Sequence, residues 1–109
     1  MPASGLALAA SSAIRVASLN LCTDEYLLLL ARPQEIVSLS HLSHDPREST
    51  LWRSAQRYPA NTGSLESVVP YRPTLVLTMG GAGRASALIA RRLGIRVLNL
   101  SYPASLTDV

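Results

Sequence analysis

The chain has 109 residues and a formal net charge of +3, a length that holds one domain with a core of its own. Its 10 basic residues are all arginine and scattered, only Arg91 and Arg92 being adjacent, which excludes the basic stripe of a nucleic-acid binder. The single cysteine, Cys22, excludes an internal disulfide and a cysteine-built metal site, and no apolar run reaches the ~18 residues of a membrane-crossing helix.

Met1 to Ala13 are mostly small and apolar, and Ser11-Ser12-Ala13 has the small-x-small form of a signal-peptidase site. A positive segment ahead of it is missing. Two readings stand side by side: the tail of an export signal, or an Ala/Ser leader without function. Residues 14–109 form the folded unit.

Ile14 to Leu19 is predicted as a buried strand. Thr23 is predicted to cap a helix running through Glu25 to Ala31, with Asp24 and Glu25 in its first turn. Leu27 to Leu30 make that helix apolar nearly all round, which predicts burial on all sides. Arg32-Pro33 ends it. Ile36 to Ser40 is a second strand, His41 to Pro46 a polar loop, and Glu48 to Tyr58 an irregular helix with Trp52 in the core. Pro59 to Gly63 reads as a turn. Ser64 caps a short helix whose apolar face is Leu65, Val68 and Val69, stopped by Pro70 and Pro73.

Thr74 to Thr78 is a third strand, and Gly80 to Gly83 a loop. Arg84 to Leu93 is a helix closed by Gly94, and Arg96 to Leu100 a fourth strand. After a loop at Ser101 to Ala104, Ser105 starts a helix that the chain cuts at Val109, so more protein is expected to follow. Strands alternating with helices predict a Rossmann-like α/β fold: a parallel four-stranded sheet with helices on both faces and right-handed crossovers. The loops after the strands then gather on one edge, where open α/β sheets bind ligands. That edge collects Asn20 to Thr23, His41 to Asp45, Met79 to Gly83 and Ser101 to Pro103.

Four blocks carry a likeness. They are Arg15-Val16-Ala17-Ser18-Leu19 with the Thr23-Asp24-Glu25 helix start, and Ile36-Val37-Ser38-Leu39-Ser40 with Asp45-Pro46. The third is Gly63-Ser64-Leu65-Glu66-Ser67-Val68-Val69 with Arg72-Pro73-Thr74-Leu75-Val76-Leu77, and the fourth Leu93-Gly94-Ile95-Arg96-Val97-Leu98-Asn99-Leu100. In this order the chain from Arg15 to Val109 resembles the N-terminal lobe of the class III periplasmic binding proteins of ABC importers. These capture iron-siderophores, heme or cobalamin. The resemblance implies two α/β lobes joined by a long helix, with the ligand between them. The joining helix would begin near Ser105, and the second lobe is absent from this sequence.

What the resemblance implies for function is capture rather than catalysis. The cargo is a metal chelate, cobalamin or a ferric siderophore. The partner is an ABC permease in the inner membrane, the compartment is the periplasm, and no cofactor is called for. Glu66 matches the position of an acidic residue that docks onto permease arginines. Read without the resemblance, Glu66 favours the positive end of a short helix.

The ligand candidates are the rim residues. Asn20 can offer an amide, and Leu21 and Cys22 share its loop. Cys22 reads as a small packing residue, not a nucleophile, since no base stands beside it. Met79, Gly80 and Gly81 form the third rim loop, where glycines let a bulky ligand approach the backbone. Arg84 begins the next helix and can meet a carboxylate or phosphate, or simply face solvent. Tyr102 offers a ring on which a flat ligand can rest. His41, His44 and Asp45 weigh as ordinary loop polarity rather than a metal site, because two histidines and one carboxylate on one loop make a poor cage. His41 alone, directly after the second strand, is placed against ligand.

Catalytic motifs are missing: there is no Gly-x-Ser-x-Gly elbow, and Gly80 to Gly83 lacks the Lys-Ser/Thr of a P-loop. Two other readings compete. One is half of a Rossmann-like enzyme binding a phosphorylated small molecule at Gly80 to Arg84. The other is a lobe that self-associates through an exposed apolar face.

Overall fold

The structure, a computed structural model, describes residues 14–79 and 84–100. Strand β1 (Val16–Ser18) leads into helix α1 (Leu21–Leu30), and β2 (Ile36–Ser40) into the short helix α2 (Trp52–Ala55). Strand β3 (Ala60–Asn61) precedes α3 (Leu65–Val68), and β4 (Leu75–Met79) precedes α4 (Arg84–Arg92) and β5 (Arg96–Leu100). Three 3-10 turns intervene, at Pro33–Glu35, His41–His44 and Val69–Tyr71.

All strand pairings are parallel, in the order β3-β2-β1-β4-β5. The parallel α/β expectation holds, with one strand more than the sequence predicted. The extra strand, β3, lies where Pro59 to Gly63 read as a turn. Two residues carry too little alternation to register as a strand. They pair nonetheless, Leu39 opposite Ala60 and Ser40 opposite Asn61.

Two apolar clusters show why helices cover both faces. One joins Val16, Ile36, Leu39 and Leu77 of the sheet to Leu27 of α1 and Ala55 of α2. The other joins Ala17 and Val76 to Leu65 and Val68 of α3, Ala90 of α4, and Ile95. Ile36 and Leu39 are three apart and would face opposite ways on a regular strand. A register irregularity, with Val16 opposite Ile36 but Ala17 opposite Ser38, brings both into the first cluster.

Three expectations about helices are corrected. The cap of α1 is Asn20, not Thr23: the Asn20 Oδ1 accepts from the Cys22 N–H at 2.8 Å. Thr23 is instead buried, its hydroxyl turned to the Asn20 carbonyl at 3.0 Å. Second, α1 is not buried all round. Tyr26, Leu29 and Leu30 stay 50%, 68% and 82% exposed, because only the side holding Thr23, Asp24 and Leu27 meets the sheet. Third, the helix expected over Glu48 to Tyr58 shrinks to Trp52–Ala55, and Trp52 is half-buried beneath the Arg53 guanidinium, 5.0 Å from its ring.

At the opposite edge, Arg15 ties the start of β1 to the start of β4. Its guanidinium donates to the carbonyls of Tyr71 at 2.7 Å and Arg72 at 3.0 Å, and its N–H donates to the Thr74 hydroxyl at 2.9 Å. Gly63 adopts φ +91°, where a side chain would be strained, in the tight passage from β3 to α3.

Candidate functional site

Strand order reverses at β1 and β4. From β1 the chain proceeds outward to β2 and β3, and from β4 it proceeds the other way to β5. The crevice outside the carboxyl ends of those two central strands is the topological switch point, where open α/β sheets take ligands. Its described walls are the passage from β1 to α1 and the turn after β2. Gly80, Gly81 and Tyr102 lie outside the described residues, as does the Arg84 side chain.

On the first wall, the Leu19 N–H continues the pairing of β1 by donating to Leu77 O at 2.9 Å. Asn20 is half-buried and spends its amide oxygen on the α1 cap. Leu21 is half-buried, and Cys22 is exposed rather than packed. Met79, at the end of β4, is buried.

The second wall is the 3-10 turn His41–His44. His41 opens the turn and is exposed. His44 is held inward: its Nδ1 lies 3.2 Å from the Ser40 carbonyl and its Nε2 2.8 Å from the Tyr58 carbonyl. Among the described residues no group of three or more His, Cys, Asp or Glu is arranged to hold a metal ion. Asp45 pairs with Arg47 at 2.9 Å, and this hydrogen-bonded guanidinium holds the Asp45 carboxyl below the usual carboxylate range. Glu66 is exposed in the first turn of α3, five residues after β3 ends at Asn61, and so stands near the same edge.

Beneath these walls runs a buried polar network that the sequence reading missed. The Asp24 carboxylate accepts from the Ser40 N–H at 3.0 Å and from the Ser40 hydroxyl at 2.5 Å. The Ser43 hydroxyl donates to Ser40 O at 3.0 Å, and the Ser18 and Thr23 hydroxyls lie 2.6 Å apart. Asn61 donates to both Ser18 O and the Ser38 hydroxyl at 2.9 Å, and Ser38 donates to Pro59 O at 2.9 Å. Every buried side-chain polar atom among the described residues has a partner. The available signal was serine within or ending mainly apolar strands, Ser18, Ser38 and Ser40.

Burial pushes the Asp24 carboxyl above its ordinary 3.8, against the opposing pull of the Ser40 N–H and the surrounding serine hydroxyls. A raised folded-state value means that Asp24's contribution is most favourable below 3.8 and is lost as pH rises through the folded value. Asp24→Asn is therefore expected to match or exceed the parent at neutral pH, and the parent to gain on it as pH falls toward 4. Urea midpoints of both proteins across that range check this. A gap that stays constant with pH would contradict it.

No known family profile matches this chain, and no curated protein matches it. Solved structures do. The periplasmic heme-binding protein RhuT from Roseiflexus sp. RS-1, in apo form, aligns with a TM-score of 0.63 at 22% identity, over 89% of this chain and 37% of its own. A periplasmic heme-binding protein from Pseudomonas aeruginosa aligns with a TM-score of 0.65 at 19% identity, over 86% and 33%. The periplasmic heme-binding protein HutB of Vibrio cholerae aligns at 0.57 and 24% identity, over 80% and 33%. This chain thus has the fold of one lobe of a two-lobe binding protein and spans about a third of the length of the structures it matches.

Proposed function

We propose that the chain is the N-terminal, solute-facing lobe of a periplasmic binding protein serving an ABC importer, and that its cargo is a metal chelate. Heme stands ahead of cobalamin and ferric siderophores, because the solved structures of like fold are periplasmic heme-binding proteins. The observation that carries the reading is the exposed His41, set on the turn that borders the switch-point crevice. A histidine ring nitrogen is a competent axial ligand for heme iron. Asn20, Leu21, Cys22 and Met79 line or underlie the adjoining wall, and Gly80, Gly81, Arg84 and Tyr102 would complete the mouth. Glu66, exposed near the same edge, is the docking contact for arginines of the permease, where a bidentate charge-assisted pair is strong and directional.

The test is a titration of the 109-residue chain with hemin, cyanocobalamin and a ferric siderophore. Chelate absorbance and Trp52 fluorescence report binding. Hemin is expected to bind, and His41→Ala to weaken it about tenfold or more, since losing even a hydrogen-bond partner of a metal ligand costs about that much, without changing thermal stability. Equal hemin affinity in parent and variant would remove His41 from the site. Binding of cyanocobalamin or the siderophore alone would move the cargo to that chelate.

Glu66→Ala separates docking from capture. In the complete transporter, uptake is expected to fall while chelate affinity stays unchanged. A drop in affinity instead would place Glu66 in the cleft.

A further inference from the structure

We propose that Asp24 is a positioning residue: through Ser40 it fixes the direction in which the turn bearing His41 leaves the sheet. The assignment of this turn to cargo rests on the capture role proposed above, whereas the positioning itself rests on geometry.

Ser40 is the last residue of β2 and the immediate neighbour of His41. Its polar groups are all engaged. The N–H and hydroxyl reach separate oxygens of Asp24, while the carbonyl accepts from the Ser43 hydroxyl and faces His44 Nδ1. Asp24, Ser40 and Ser43 are all buried. One rigid carboxylate thus grips one residue at two points, which fixes orientation as well as distance. Ser40 is held extended, at φ −66° and ψ 154°, and the turn begins at the next residue.

The same carboxylate belongs to α1, whose first residues Leu21 and Cys22 and cap Asn20 form the other described wall. Asp24 therefore joins the two walls into one body. Stability alone gives a poor reason for an acid here, since burial disfavours its charged form and apolar packing commonly serves a fold as well as a buried charge does. A bidentate acceptor supplies what apolar packing lacks, a set angle for the chain.

The test uses the whole chain without ligand first. Hydrogen exchange at His41 to His44 is expected to accelerate about tenfold or more in Asp24→Ala and in Ser40→Ala, a local opening. Asp24→Asn is expected to exchange like the parent. Its amide oxygen can accept the Ser40 N–H, and its NH2 can donate to the Ser40 hydroxyl. Should Asp24→Ala fail to fold, Ser40→Ala decides, because it keeps the Ser40 N–H bond and loses only the hydroxyl. Unchanged exchange in a folded Ala variant overturns the proposal, whether or not any chelate binds.

The second measurement is the visible spectrum and affinity of added hemin. The Ala variants are expected to shift the spectrum and bind several-fold more weakly, with Asp24→Asn near the parent. A loosened turn with an unaltered hemin spectrum and affinity also overturns the proposal. A parent protein that ignores every chelate overturns the capture reading instead, and the exchange result still decides whether Asp24 positions the turn.

Discussion

Leu39→Ala is expected to cost about 3 kcal/mol of stability, within the range for emptying a leucine site in a packed core. Leu39 is fully buried on β2 and belongs to the cluster that also holds Leu27 of α1 and Ala55 of α2. Removing its side chain opens a void that strands on both sides of β2 and two helices cannot all close. In a domain of this size that loss lowers the melting temperature by roughly 10–25 °C. The control lies on α1. Leu30→Ala removes an equal volume at a position that is mostly in water, and is expected to change stability by less than about 0.5 kcal/mol. Urea unfolding of the two variants measures the contrast. Similar costs would mean that the two leucines are not packed as described.

Asn61→Ala is expected to cost about 2–3 kcal/mol, by leaving buried polar partners without hydrogen bonds. Asn61 is buried on the shortest strand of the sheet. Its amide reaches Ser18 O of β1 and the Ser38 hydroxyl of β2, and its Oδ1 accepts the Gly63 N–H at 2.9 Å. One side chain thus links three strands and the passage into α3. Asn61→Leu fills a similar volume but restores none of these bonds, so it is expected to be no better than alanine. Hydrogen exchange should show β3 and residues 62–64 opening first. A stable leucine variant would show that volume, not hydrogen bonding, holds β3.

Much of the fold was legible because parallel strands covered on both faces read as near-continuous apolar runs. Val16 to Ser18, Ile36 to Ser40, Leu75 to Met79 and Arg96 to Leu100 all fall within or beside the segments expected. Ser64 was legible as a cap, and its hydroxyl accepts the Ser67 N–H at 3.3 Å. Helix α1 misled for a physical reason: its Leu27 to Leu30 run is apolar on every side and carries no pattern to say which side meets the sheet. Thr23 and Asn20 are both good caps, and choosing between them needs the geometry that draws Thr23 toward Ser18.

The site divides along the same line. Rim loops follow from element order, so the placement of His41 after β2 and of Asn20 after β1 could be read directly. What holds them could not. Asp24 and Ser40 are sixteen residues apart, and Asn61 and Ser18 forty-three. Such pairs leave no periodic trace, only the oddity of serines in apolar strands.

The layering of the mouth has an evolutionary consequence. Parts that set its shape, such as Asp24, Ser40, Ser43 and Asn61, are hidden, whereas His41 and Cys22 face outward. Under the proposed capture role, exchanges at the outward positions would alter selectivity at little thermodynamic penalty, whereas exchanges in the hidden scaffold act on the shape of both walls. A lineage could thus retool a lobe in that role for new cargo by drift at the lip, without passing through unfolded ancestors.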